Sequence, residues 1–113
     1  MMDKRTTGLL QTTRRAARDK FREEVLAQGV DSARLGEYRR MERDYRGYAR
    51  IGRPPPAARE LAAELLRRQS IELGDDAARH DFEVEVTRML AALYADFIAL
   101  ARRGSGRDHP ARK

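Results

Sequence analysis

Cysteine and tryptophan are both absent from the 113-residue sequence, and histidine occurs only twice. The lack of cysteine excludes disulfides, thiol catalysis and metal sites built on thiolates. No spacing of serine, histidine and carboxylate residues suggests a catalytic triad, and no glycine-rich loop suggests a phosphate site. The acidic cluster with one histidine at 75–81 fits helix capping better than metal binding. The sequence therefore predicts a protein that is not an enzyme and has no metal or resident cofactor.

Long apolar runs are also missing. No apolar stretch follows Met1, so we expect no secretory signal. The most apolar segment, 86–101, is too short to span a membrane, and it contains Asp96, which would be costly in lipid. The first eighteen residues are basic and rich in threonine, as mitochondrial transit segments are.

Charge, by contrast, is abundant: 37% of the residues are charged and the net charge is +6. Segments 1–29 and 30–53 each carry seven basic and four acidic groups, so the excess lies in the N-terminal half. A basic surface of this kind favours an acidic partner, which can be a nucleic acid, an anionic lipid or an acidic protein. The alternative is a solvated surface with internal ion pairs.

Apolar periodicity predicts four helices, at about 7–28, 33–50, 56–73 and 76–103. The expected end signals are Gly29 and Gly74 after the first and third helices and Pro56 at the start of the third. Asp31 or Ser32 is expected to cap the second helix, and Asp75 or Asp76 the last. We predict an all-α fold, a three- to four-helix antiparallel bundle. It forms one domain over 1–103, followed by a disordered basic tail over 104–113.

The last helix has two apolar stripes and is predicted to be the central helix of the bundle. The first stripe contains Phe82, Val86, Met89, Leu93, Phe97 and Leu100. The inner faces of the other helices are thin and rich in alanine, so the second stripe is expected to stay exposed and to contact another chain. Asp96 is expected at the border of the first stripe or, if buried, paired with an arginine. The predicted hydrophobic interface comprises Leu90, Tyr94, Ile98 and Ala101.

The second helix carries tyrosines on one face and arginines beside them. Pairing is expected between Glu42 and Arg46 and between Asp44 and Arg40. Gly36 and Gly47 weaken a helix, so we expect the helix to fray there or a neighbour to pack closely against them. The residues predicted to bind an acidic partner are Arg14, Arg18, Arg39, Arg40, Arg43, Arg46 and Arg50.

Two other functions fit the same residues. Arginines with tyrosines between them are typical of nucleic-acid surfaces, where Tyr38, Tyr45 and Tyr48 would stack on unpaired bases. The same tyrosines also fit a core position with their hydroxyls at the rim. Alternatively, the last helix pairs with its own copy, and the protein is a self-assembling helical bundle.

Three segments of the first 73 residues resemble the LYR-motif family of small mitochondrial proteins. Segment 9–21, LLQTTRRAARDKF, is similar to the opening helix of that family. The Leu-Tyr-Arg tripeptide that gives the family its name reads Leu-Leu-Gln in this chain. Segment 39–46, RRMERDYR, resembles the second-helix element, and segment 65–69, LLRRQ, resembles the end of the third helix.

The resemblance implies an accessory subunit or assembly factor that binds an acidic acyl carrier protein. Arg39, Arg40, Arg43 and Arg46 would then face the acidic helix of the carrier. The carrier's acyl-phosphopantetheine chain would enter the helical core beside the small residues Thr13, Ala17, Ala58 and Ala62. The resemblance also implies a mitochondrial location, and without it we expect a cytoplasmic one.

Overall fold

The computed structural model describes residues 4–107, which form four helices: α1 (Lys4–Gln28), α2 (Ser32–Arg50), α3 (Pro56–Arg68) and α4 (Asp76–Arg107). No strand occurs within this range. The predicted all-α fold is confirmed, since the described residues form a bundle of four helices. Helix α4 continues to Arg107, four residues beyond its predicted end, and the rest of the predicted tail, 108–113, lies outside the described residues.

Helix α4 is the centre of the fold, because each of the other three helices packs mainly against it. Helix α2 runs antiparallel to α4, since Tyr38 meets Phe97 while Ala49 lies near Val84. Helix α1 runs in the same direction as α4, since Leu10 lies near Met89 and Phe21 packs on Phe97. Helix α3 forms a hairpin with the first part of α4. The predicted central position of α4 is therefore correct.

The core consists of two clusters along α4. The larger one joins α1, α3 and the first half of α4, and its fully buried side chains include Phe82 and Val86. The smaller one joins Phe21 and Val25 of α1 to Leu100. Phe97 packs against both clusters and so links them. The first apolar stripe of α4 is thus the stripe that holds α1 and α3.

Most of the predicted helix ends are confirmed. Gly29 follows α1 with a φ of +74°, a conformation that costs glycine little. The carboxylate of Asp31 accepts a hydrogen bond from the Arg34 amide at 2.8 Å and caps α2. Asp75 caps α4 in the same way, accepting from the Ala78 amide at 2.7 Å. Pro56 is the first residue of α3, as expected.

The end of α3 differs from its prediction, because the helix stops at Arg68 and not at 73. Ser70 takes a left-handed conformation with a φ of +53°. Its amide donates to the Arg67 carbonyl, and the Ile71 amide donates to the Leu66 carbonyl at 2.9 Å. These two bonds form a Schellman motif, which Ile71 completes by packing on the core. Serine is an unusual residue at that position, so the sequence pattern pointed to Gly74 instead.

The two glycines inside α2 have neither of the predicted consequences. The helix runs without interruption past Gly36 and Gly47. A Cβ built at either position meets no heavy atom within 4 Å. The folded chain therefore gives no reason for glycine at these sites, and α2 forms in spite of them because its inner face packs along α4.

Candidate interface for an acidic partner

A stripe of four arginines runs along the outside of α2. They follow one another at steps of four, three and four residues, which keeps them on one face of the helix, and all four are exposed. The stripe spans residues 39–50, which are eleven steps of 1.5 Å or about 16 Å along the helix. Helix α2 is oriented by the burial of Tyr45 and Ala49 against α4. We call this surface the arginine stripe: Arg39, Arg43, Arg46 and Arg50.

Three of the four arginines have no ion-pair partner among the described residues: Arg39, Arg43 and Arg50. Arg46 pairs with Glu42 at 3.4 Å, as predicted. Arg40, beside the stripe, approaches Glu37 at 3.8 Å, so its predicted pairing with Asp44 is wrong. A glutamate three residues earlier in the helix has the longer side chain and reaches the guanidinium more easily than the short Asp44.

Arg14 forms an ion pair within the fold, between α1 and α4. Its Nε donates to Asp96 Oδ2 at 2.8 Å and its Nη2 donates to Asp96 Oδ1 at 3.0 Å, so the pair is bidentate. The side chain of Asp96 is 19% exposed and that of Arg14 is 41% exposed. The hydrogen bonds to Asp96 raise the pKa of Arg14 above its usual value. Asp96 thus lies at the border of the apolar stripe and also has an arginine partner, which combines the two expected arrangements.

Arg18, one turn after Arg14, is half-buried and lies apart from the arginine stripe. Its Nε is buried and has no hydrogen-bond partner among the described residues. The structure therefore divides the predicted set of arginines. Those on α2 form one exposed surface, whereas Arg14 and Arg18 lie against the body of the bundle on α1.

The aromatic side chains of α2 mostly pack inward. Tyr45 stacks on Tyr94 with ring centroids 5.8 Å apart and planes 8° apart. Tyr38 meets Phe21 edge-on at 5.5 Å. Burial raises the pKa of Tyr45 and is the main cause of the raised pKa of Tyr94. The prediction that the three tyrosines of α2 lie in the core holds for Tyr38 and Tyr45.

Tyr48 is the exception, since it is 43% exposed. At 100° per residue it lies far from Ala49 around the helix, on the flank opposite the arginine stripe. The predicted core position of Tyr48 is wrong for this reason. Ile51, directly after α2, is 61% exposed, and no sequence pattern had marked it as a surface residue.

The predicted hydrophobic interface on α4 is only partly exposed. Ala101 is 2% exposed, so it cannot be part of an exposed surface in the folded chain. Leu90, Tyr94 and Ile98 are half-buried. Leu90 packs against the larger core cluster, and Tyr94 contacts the rings of both Tyr38 and Tyr45 of α2. The expectation of a fully exposed stripe is corrected accordingly.

The small residues predicted to leave room for an acyl chain are in contact with protein in this structure. Ala58 and Ala62 are fully buried in the larger core cluster, where they allow α3 to approach α4 closely. Ala17 packs against the same cluster. The hydroxyl of Thr13 donates to the Leu9 carbonyl at 2.8 Å, within its own helix.

Within residues 4–107, no group of three or more histidine and acidic side chains is arranged to hold a metal ion. None of the helices in this range combines the length and the apolar character that a membrane crossing requires. Comparison of the chain with models of protein families, with curated proteins and with solved structures finds no match.

Proposed function

We propose that this chain is a non-enzymatic accessory subunit or assembly factor that binds an acidic protein through the arginine stripe. The observation that carries the proposal is the set of three exposed arginines on one face of α2 that have no ion-pair partner among the described residues. They are held on a helix whose neighbouring face, with Tyr45 and Ala49, is fixed to α4, so the charged surface is formed before any partner arrives.

The stripe is unfavourable for the isolated chain. Arg39 and Arg43 stand at i,i+4, as do Arg46 and Arg50, and Arg43 and Arg46 stand at i,i+3. Each such like-charge pair destabilises a helix by about 0.2–0.5 kcal/mol, so the stripe costs α2 less than about 1 kcal/mol once the pairing of Arg46 with Glu42 is included. The carboxylates of an acidic partner would offset this repulsion. The stripe would therefore be favourable in a complex with such a partner, whereas it is unfavourable in the free chain.

One feature favours an acidic protein over a nucleic acid. Two of the three rings that would stack on bases, Tyr38 and Tyr45, are engaged in the aromatic contacts with α1 and α4. Arginines about 5–6 Å apart along a helix match carboxylates spaced at i,i+4 on a second helix.

The finer parts of the proposal follow from the resemblance to the LYR-motif family. The acidic protein would be an acyl carrier protein, the location would be the mitochondrion, and the carrier would supply any acyl-phosphopantetheine chain. Because Ala58 and Ala62 are enclosed by neighbouring side chains, entry of such a chain would require α3 to move relative to α4.

The test is a titration of the full chain against purified acyl carrier protein, read by calorimetry at low and moderate salt. Replacing the three unpaired stripe arginines by serine is expected to weaken binding about 10- to 100-fold, at roughly 0.5–1 kcal/mol for each charge. A second triple variant with the same loss of charge, built from exposed arginines without an ion-pair partner elsewhere on the described chain, is the control. The control replaces Arg15, Arg59 and Arg102.

The control variant is expected to bind within about threefold of the original chain. Equal losses from both variants would mean that net charge alone drives association and would refute a specific interface. No binding of the original chain to the carrier would refute that identity for the partner. Tighter binding to generic duplex DNA or RNA, with a salt slope that reports the phosphates contacted, would favour a nucleic-acid function instead.

A further inference from the structure

The turn between α2 and α3 exposes apolar side chains. Among the described residues, three large hydrophobic side chains are exposed, and two of them, Tyr48 and Ile51, lie here. The third, Leu26, lies near the end of α1 and is 62% exposed, almost the same fraction as the 61% of Ile51. A polar side chain would serve the turn equally well, so the exposure of an isoleucine requires a reason.

The backbone holds Ile51 in one place. The Ile51 amide donates to the Gly47 carbonyl, the Gly52 amide to the Ala49 carbonyl, and the Arg53 amide to the Tyr48 carbonyl at 3.0 Å. Gly52 has a φ of +68°, which favours glycine there. Three prolines follow, each with a restricted φ. Ile51 is thus presented on a turn that loses little conformational entropy when it is bound.

Positive charge flanks the isoleucine. Arg50, the last member of the arginine stripe, and Arg53 are exposed and have no ion-pair partner among the described residues. Two carboxylates, those of Asp81 and Glu85, line a shallow depression between this turn and α4. Glu85 is itself paired with Arg88. In the chain, Ile51 therefore follows the last arginine of the stripe and has an unpaired arginine on either side.

We propose that Ile51 is the apolar anchor of the interface, and that it inserts into a hydrophobic pocket rimmed by carboxylates on the acidic protein that binds the arginine stripe. This inference rests on the proposed function. Each charged contact at the rim of an interface supplies modest affinity, and a preorganised apolar group that becomes fully buried adds to it. Burial of Ile51 adds an apolar contribution to binding that the arginine stripe lacks. Arg50 belongs to the stripe and also lies next to Ile51.

The experiment places the photo-crosslinking residue p-benzoylphenylalanine at position 43, 51 or 26 of the full chain, expressed in its own cells. Position 43 reports the arginine stripe, position 51 the anchor, and position 26 an equally exposed apolar site. The expected result is that 43 and 51 attach to the same acidic protein, with 51 joined to a peptide containing apolar and acidic residues, while 26 does not attach to it.

Attachment from 43 to an acidic protein without attachment from 51 would overturn the anchor and leave the proposed function standing. Absence of an acidic protein from the products at 43 would overturn the proposed function and the anchor with it. Equal attachment from 51 and 26 would show that exposed apolar groups react unselectively and would also overturn the anchor.

A binding measurement with the protein captured at position 43 completes the test. Ile51→Ser is expected to weaken its binding about 5- to 30-fold, from the loss of one partly exposed isoleucine that becomes buried. Leu26→Ser removes the same kind of surface elsewhere and is expected to leave binding within twofold. Neither substitution should change the thermal midpoint of the free chain much, and an affinity unchanged by Ile51→Ser would contradict the anchor.

Discussion

The bidentate pair between Arg14 and Asp96 offers the sharpest test of how α1 is held on α4. Replacing Asp96 by asparagine keeps the volume of the side chain and removes its charge. Exposed ion pairs contribute up to about 1 kcal/mol, and breaking a fully buried pair costs about 3–5 kcal/mol. Asp96 is 19% exposed and Arg14 is 41% exposed, so the pair lies nearer the exposed limit. We expect Asp96→Asn to lower the free energy of unfolding by about 1–2 kcal/mol.

The assay is urea unfolding followed by circular dichroism for Asp96→Asn, Arg14→Gln and the double variant. The expected coupling energy is about 1 kcal/mol, and each kcal/mol should lower the thermal midpoint by about 4–8 °C for a domain of this size. Asp19→Asn is the control, because Asp19 pairs with Arg22 at 3.4 Å on an exposed face and should cost less than about 0.5 kcal/mol. A coupling energy below about 0.3 kcal/mol between Arg14 and Asp96 would refute the reasoning.

Three further predictions concern stability. Gly36→Ala and Gly47→Ala should each raise the free energy of unfolding by about 0.5–1 kcal/mol, measured by urea unfolding, since both positions are helical and have open space around them. Ser70→Gly should stabilise the end of α3 by about 1 kcal/mol, because glycine adopts the positive φ without a steric cost. The raised pKa of Tyr45 and Tyr94 means that the folded state keeps their protons longer than the unfolded state, so stability should fall as the pH rises above about 10, and tyrosinate absorbance should report delayed titration.

For each of these three predictions, a particular result would contradict it. Loss of stability in either helical glycine variant would mean that the open space at that position is filled in solution. Gly52→Ala serves as the opposite control, because its φ of +68° makes an added side chain unfavourable. No gain from Ser70→Gly would mean that the serine is not strained. Titration of Tyr45 and Tyr94 at the pH of about 10 that is usual for an exposed tyrosine would contradict their burial.

The parts of the fold that depend on local pattern were predictable. Four helices, the caps at Asp31 and Asp75 and the stop at Gly29 each depend on a few neighbouring residues, and all are present in the structure. The end of α3 was missed because Ser70 carries a conformation usually given to glycine, and only the tertiary packing of Ile71 reveals that it does.

The candidate site was predictable in part. The absence of ion-pair partners for Arg39, Arg43 and Arg50 follows from the few acidic residues available on α2. The involvement of Arg14 with Asp96 joins residues 82 positions apart, and no spacing rule predicts which arginine is chosen. The exposure of Tyr48 depends on how α2 is rotated about its own axis against α4. The apolar pattern of α2 is broad, so it does not determine that rotation.

The central position of α4 has a consequence for the synthesis of the protein on the ribosome. Helices α1, α2 and α3 emerge first, yet the surface on which all three pack is the last of the four helices to be made. At about 5–20 residues per second, the 32 residues of α4 take about 2–6 s to synthesise. During that interval α1, α2 and α3 are amphipathic segments whose apolar faces still lack the helix on which they pack in the folded chain.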